Sequence, residues 1–308
     1  MGTQLRGTPR KAARQKYRTI TAEQEKHFLE KGYLVVEDCF DPALARQWTD
    51  HACKRLEVRR DDPSTWAKDI VWMDHELTAP VRNISPKAWG AICDVAGGEE
   101  RLETRVVTLP ASGHFSTINS FEWSDAFIVN FRRGTDQPWQ PPSPAVKGWH
   151  KDGSYFKHFL DSREQSLLTI VLWSDVAPRG GGTFIAPDSI GVIARLLRDH
   201  PEGVEPDAFG NHIKECREFV EVTGKAGTLI ILHPFMLHAS SQNHSGVPRF
   251  MSNPPVILRE HMKLNRDNPE EFSLLERTTL HALGRERLDF RPAAPRRSDW
   301  TLTGSAGR

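Results

Sequence analysis

His150-Lys151-Asp152, with His238 following 86 residues after Asp152 and Arg249 a further 11 on, is the arrangement in this chain best equipped for chemistry. Two imidazoles and one carboxylate can hold a ferrous ion on one face and leave the remaining positions open for a co-substrate and dioxygen. In a strand, residues i and i+2 point to the same side, so His150 and Asp152 can converge on one ion while Lys151 points away. His238 must arrive from a distant strand, which calls for a sheet folded back on itself. Arg249 sits on the next hydrophobic run, where its guanidinium could pair with a dicarboxylate through two parallel hydrogen bonds.

A lone His-x-Asp is a weak signal among 13 histidines and 40 acidic residues, so the ordered context has to carry the reading. His150 opens WHKDGSYF, and the apolar run LLTIVLWSDV comes next. RGGGTFIAPDS then makes a glycine turn into another strand. AGTLIILHPFMLHASS contains the distal histidine, and RFMSNPPVIL carries the arginine.

This series resembles the phytanoyl-CoA dioxygenase-like family of Fe(II)/2-oxoglutarate-dependent oxygenases, over roughly residues 20–260 by strand order. The resemblance implies a mainly β fold, a double-stranded β-helix (jelly-roll, cupin-like) core with buttressing α-helices. It implies that His150, Asp152 and His238 hold Fe(2+), and that Arg249 binds the far carboxylate of 2-oxoglutarate with Ser240 beside it. It also implies an O2-dependent reaction in which 2-oxoglutarate is decarboxylated to succinate while a C–H bond is oxidised. Hydroxylation is the default outcome; desaturation or ring closure follows where substrate placement delays rebound. The carboxylate at Asp152 argues against halogenation, because halogenating relatives carry a small residue there.

Other candidates are read from strand parity. Asn130 and Arg132 share one face of a strand expected over 126–133. Asn130 is a candidate partner for the 1-carboxylate or keto group of 2-oxoglutarate. Arg132 is a candidate for a substrate carboxylate or phosphate, and equally for a surface cation. Tyr155 and Phe156 are expected to wall the substrate pocket. Trp149 and Lys151 face away from the metal, toward packing or solvent. His233 is expected to be a hydrogen-bonded structural residue, His158 and His244 solvated loop residues near the mouth, and Trp173 a core residue.

The charge balance, 41 Lys plus Arg against 40 Asp plus Glu, leaves no polyanion-binding field over the whole chain. A small-molecule metabolite is therefore the expected substrate, with no nucleic-acid or membrane partner, and specialised metabolism (biosynthesis) the expected setting. No apolar stretch approaches membrane-spanning length and no signal core opens the chain, so a soluble, cytoplasmic protein is expected. Cys39, Cys53, Cys93 and Cys216 form no C-x-x-C pair and read as reduced structural thiols.

The elements that must position the site are legible in outline. Residues 1–18 carry six basic side chains and no acid, which reads as a disordered arm. Residues 19–308 read as one catalytic domain, with a metal core at about 126–260 and a C-terminal helical segment over 265–308. Thr21 with Gln24 reads as a capping box opening a helix that Gly32 ends, followed by a strand YLVVED. Asp41-Pro42 opens a second helix. Residues 61–113 look irregular. A short amphipathic helix is expected over 190–200 and a late one over 269–284. The stretch 201–215 lacks periodicity and is a candidate mobile flap, and the tail from Arg285 is expected to be extended and to pack in part. Two rival readings stand beside the oxygenase: an inactive jelly-roll binding module, and a cupin-like metalloenzyme that does not use 2-oxoglutarate. Arg249 and Ser240 have no obvious job in the second.

Overall fold

The apolar runs Leu167–Leu172 and Leu229–Leu232 are buried at every position. A strand with no solvent face must be covered on both sides. In the computed structural model, which describes residues 17–108, 117–118, 120–299 and 301–303, these runs lie side by side in a seven-stranded antiparallel sheet. The strands of the core are β1 (Tyr33–Val36), β2 (Ile70–Trp72), β3 (Ile128–Asn130), β4 (Leu167–Leu172), β5 (Thr183–Ala186), β6 (Val220–Val222), β7 (Leu229–Leu232), β8 (Leu237–Ser240), β9 (Arg249–Ser252) and β10 (Pro255–Val256). The large sheet runs β1-β7-β4-β9-β3-β2, with β10 also pairing with β4. A second sheet, β6-β5-β8, is extended by an antiparallel bridge between His150 and His238. Thr183 Oγ1 on β5 lies 3.8 Å from Met251 Sδ on β9, so the two sheets face one another. This is the jelly-roll core with flanking helices that the family resemblance implied.

The helices begin and end where local chemistry says they should. α1 (Ala22–Lys31) has the expected capping box at Thr21 and Gln24 and a left-handed Gly32 at its end. α2 (Pro42–Arg55) starts at Asp41, whose side chain accepts from Ala43 N at 2.7 Å. Trp48 of α2 stacks on Trp173 with ring centroids 4.6 Å apart, and Trp173 Nε1 donates to Ser252 Oγ at 3.0 Å. Trp173 is thus a core residue, as expected, and it ties α2 to the large sheet.

Three expectations need correction. Tyr17 is buried and donates to Glu25, and Arg18 N donates to Asp94, so the basic arm ends before Tyr17. The rest of that arm, residues 1–16, lies outside the described residues. The Trp-rich region is not irregular throughout: it holds α3 (Val81–Ile84) and α4 (Pro86–Ala96), the latter with buried Trp89, Ile92 and Val95. The segment 201–215 is docked rather than free. It forms two 3-10 turns, buries Val204, Phe209 and Ile213, and pairs its Val204 main chain with His158. Beyond α5 (Ser189–Asp199) and α6 (Leu274–Ala282), the C-terminal tail is extended and packs in part, as expected, through a few specific bonds. Arg296 Nη2 donates to both carboxylate oxygens of Asp161 at 2.7 Å, Lys157 N donates to Arg297 O, and Asp299 N donates to Tyr155 O. The tail therefore braces the segment immediately after the His150–Asp152 pair.

α6 opens with a second capping box that sequence reading missed: Ser273 Oγ accepts from Glu276 N at 3.1 Å, and Glu276 Oε2 accepts from Ser273 N at 2.9 Å. Both residues are buried, so removing the hydroxyl leaves a donor that water cannot easily reach. Ser273→Ala is expected to cost about 1–2 kcal/mol, the upper part of the usual capping range. A fall in the urea midpoint with unchanged slope would show it; an unchanged midpoint would remove the cap from the account of α6.

Candidate metal centre

His150, Asp152 and His238 come together at the β8 edge of the small sheet. One ligand atom from each can be chosen so that all lie within 4.8 Å of one another. Asp152 Oδ1 is 3.3 Å from His150 Nε2 and 3.4 Å from His238 Nε2. The route differs from a regular strand. His150 makes a single bridge, its N and O paired with His238 O and N at 3.0 Å, and the chain then bends at Asp152.

Hydrogen bonds fix both imidazole tautomers. Nδ1 of His150 donates to Gly148 O at 2.8 Å, and Nδ1 of His238 donates to Met236 O at 3.1 Å. A carbonyl can only accept, so Nδ1 carries a proton and Nε2 faces Asp152, where it donates to the carboxylate when protonated and can bind a metal when neutral. Gln165 Nε2 reaches the other carboxylate oxygen, Asp152 Oδ2, at 3.5 Å. Burial opposes the Asp152 charge, but the His238 and His150 imidazoles outweigh it and hold the carboxyl well below the usual carboxylate range. Two imidazole nitrogens and one ionised oxygen, pre-oriented on one face, fit a divalent transition metal.

Arg249 opens β9 and pairs in register with Asn130 of β3. It shares a strand face with Met251, the residue that meets Thr183 across the gap, so its side chain is directed between the sheets. It is 3 % exposed, and its Nε and Nη1 have no hydrogen-bond partner among the described residues. Burial, and after it the charge of Arg133, push the guanidinium down to about 9. An unpaired buried cation is costly, and an incoming carboxylate would relieve that cost. Ser240 lies on the same strand face as His238, paired in register with Thr183.

Residues 28–251 match the phytanoyl-CoA dioxygenase (PhyH) family. The chain belongs to that family. No curated protein matches its sequence. Among solved structures, it is similar to the α-ketoglutarate-dependent epimerase SnoN from nogalamycin biosynthesis, at 16% identity over 76% of this chain and 82% of that one, with a TM-score of 0.42. It is similar to the carbocyclase SnoK from nogalamycin biosynthesis at 15% identity over 78% and 84%, TM-score 0.42. It is also similar to AviO1 from Streptomyces viridochromogenes Tue57 at 14% identity over 79% and 97%, TM-score 0.44.

The other candidate residues of this PhyH-family chain divide sharply. Asn130 is fully buried and largely committed to the main chain: its Oδ1 accepts from Arg133 N at 3.0 Å and its Nδ2 donates to Ser241 O at 3.2 Å. One amide hydrogen is left for any co-substrate. Arg132 takes the surface-cation reading. It pairs with Asp69 at 2.9 Å and with Trp66 O at 3.0 Å on the surface, because β3 ends at Asn130 and the shared parity does not extend past it. Phe156 is fully buried under the C-terminal tail, bridged to Ser298. Tyr155 stays beside the site. Its hydroxyl donates to Glu164 O at 3.1 Å, and burial, then the Asp152 and Glu164 charges, raise its pKa. Trp149 packs on Phe219, as expected. Lys151 is packed away from solvent, one of its two expected fates; His158 is buried rather than solvated, and His244 is bonded to Gly134 O and packed on Trp139.

His233 is structural, as expected. Phe235 N donates to its Nδ1 at 3.2 Å, so Nε2 carries the proton and donates to Thr279 Oγ1 at 3.0 Å. Burial pushes its pKa down to about 3. The unfolded chain takes up this proton near the ordinary histidine value of about 6.5, so between there and about 3 the unfolded state binds more protons. His233 therefore stabilises the fold above that window and the contribution is lost as pH falls through it. The expected His233 share of the acid slope approaches about 1.4 kcal/mol per pH unit. Denaturant midpoints between pH 7 and pH 4 should show a flatter dependence in His233→Asn; a parallel dependence would mean that the imidazole titrates freely in the fold.

Proposed function

We propose that this chain is an Fe(II)/2-oxoglutarate-dependent dioxygenase that oxidises a C–H bond of a small-molecule metabolite. The observation that carries the reading is a conjunction. A two-histidine, one-carboxylate set with both Nδ1 atoms bonded to main-chain carbonyls is anchored on one sheet through His238, and Arg249, two of whose buried nitrogens have no hydrogen-bond partner among the described residues, is directed between that sheet and the next. His150, Asp152 and His238 would hold the metal, and Arg249 with Ser240 would bind the far carboxylate of the keto acid.

Bound there, ferrous iron supplies dioxygen activation coupled to oxidative decarboxylation of the keto acid. The protein's part is positional. His150 Nδ1 and His238 Nδ1 hold their rings against main-chain carbonyls, and Gln165 steadies the carboxylate. Arg249 fixes the co-substrate at the end remote from the metal, which leaves its keto-acid end to meet the ion. Tyr155, partly exposed beside Asp152, lines the approach. Burial of Arg249 strengthens the charge pairing there by excluding water. The near-zero net charge supports a small substrate over a polyanion.

The test is direct. The full chain with ferrous iron, 2-oxoglutarate and oxygen should release succinate even without its substrate, through uncoupled turnover. The metal-loaded protein should also melt at a higher temperature on adding 2-oxoglutarate. Metal binding with neither succinate nor a 2-oxoglutarate shift would overturn the reading in favour of a metalloenzyme that does not use this co-substrate.

A further inference from the structure

Lys151 stands between two of the metal-site residues, yet its side chain is only 5 % exposed. Its Nζ donates to His158 Nδ1 at 2.7 Å and to Asp152 O at 3.4 Å. The aliphatic stem carries it into a slot where Nζ lies 5.6 Å from the Phe156 ring centroid and 5.5 Å from that of Phe209. His158 is fully buried, and its Nε2 donates to Gly153 O at 2.8 Å. That bond leaves Nδ1 as the acceptor for Lys151. The His158 main chain is itself paired both ways with Val204 at 2.9 Å, within the docked 201–215 segment.

The two carbonyls of the bend, Asp152 O and Gly153 O, are therefore each gripped by one member of a buried pair. Gly153 has φ +108, and a Cβ there would meet the Phe156 ring at 2.4 Å, so the bend has little freedom to take another path. A buried lysine is costly and an apolar residue would pack there at least as well. What the lysine adds is directional hold on the backbone that presents Asp152. On the reading of His150, Asp152 and His238 as a metal site, we propose that Lys151 and His158 are positioning residues for Asp152, holding its carboxylate against the two imidazoles.

Losing such an outer partner typically weakens metal binding 10–100-fold. The experiment titrates the full chain with Co(II) by calorimetry and records the cobalt ligand-field absorption, in the parent and in Lys151→Met. The expected result is about 10-fold or greater loss of Co(II) affinity in Lys151→Met with a changed absorption spectrum, while the circular dichroism of the metal-free protein matches the parent. Should Lys151→Met fail to fold, Lys151→Gln, polar but too short to span to His158, takes its place with the same expectation. A variant that binds Co(II) with the parent's affinity and spectrum, whatever its melting temperature, overturns the positioning role and leaves the metal site standing. A parent chain that binds no Co(II) overturns the metal site and this inference with it.

Discussion

Arg249→Ala is expected to raise the dissociation constant for 2-oxoglutarate about 30-fold or more, because truncating one partner of a desolvated charge pair typically costs about 2–5 kcal/mol. Arg249 is 3 % exposed, and two of its nitrogens have no hydrogen-bond partner among the described residues. Ser240→Ala should cost much less, about 1 kcal/mol, as a single neutral hydrogen bond. Calorimetric titration of 2-oxoglutarate into protein loaded with a redox-inert divalent metal would measure both. A structural role for Arg249 makes an opposite forecast for stability. Were the arginine there to hold the sheets together, Arg249→Met would lower the melting temperature of the metal-free protein. A guanidinium pressed by burial and by Arg133 is instead a source of strain in the absence of an anion. Arg249→Met, which keeps most of the volume, should melt no lower than the parent and lose the upward shift on adding 2-oxoglutarate. Parent-like titration in Arg249→Ala would move the keto acid's far carboxylate elsewhere.

The metal-site residues were legible because ligand chemistry depends on residue type and order along the chain. Their convergence was expected from strand alternation, whereas the structure achieves it through one bridge at His150 and a bend at Asp152. Period-two arguments failed in the same way for Arg132: its strand stops two residues earlier, and a surface aspartate takes the guanidinium. The burial of Lys151, His158 and Phe156 was not legible for a different reason. Their burial is decided by chain from far away, the 201–215 segment and the 285–299 tail, which no local pattern announces. α4 is the case where a usable signal was passed over. Pro86 at its first turn and Gly97 just past its end mark its limits, and tryptophan-rich composition hid them.

Removing a metal-site side chain should abolish turnover and spare the fold, and this chain gives a specific reason for the separation. The contact that joins the His150 segment to β8 is made by main-chain atoms, His150 N to His238 O and His238 N to His150 O, both at 3.0 Å. Substitution at either position leaves those bonds available. Asp152→Ala removes the one formal negative charge of the three-residue set, so a metal would have only two neutral donors left to hold it. Succinate formation should fall to background, and the melting-temperature rise produced by metal should vanish. His150 and His238 should differ in their side effects. The His150 side chain is 50% exposed while that of His238 is 8% exposed, so His238→Ala leaves the larger cavity and should lower metal-free stability more. Both should lose turnover equally, since a site of three ligands acts as a unit. Full activity in His238→Ala would break the assignment, and His233 could not step in, because its two ring nitrogens are already bonded to Phe235 N and Thr279 Oγ1.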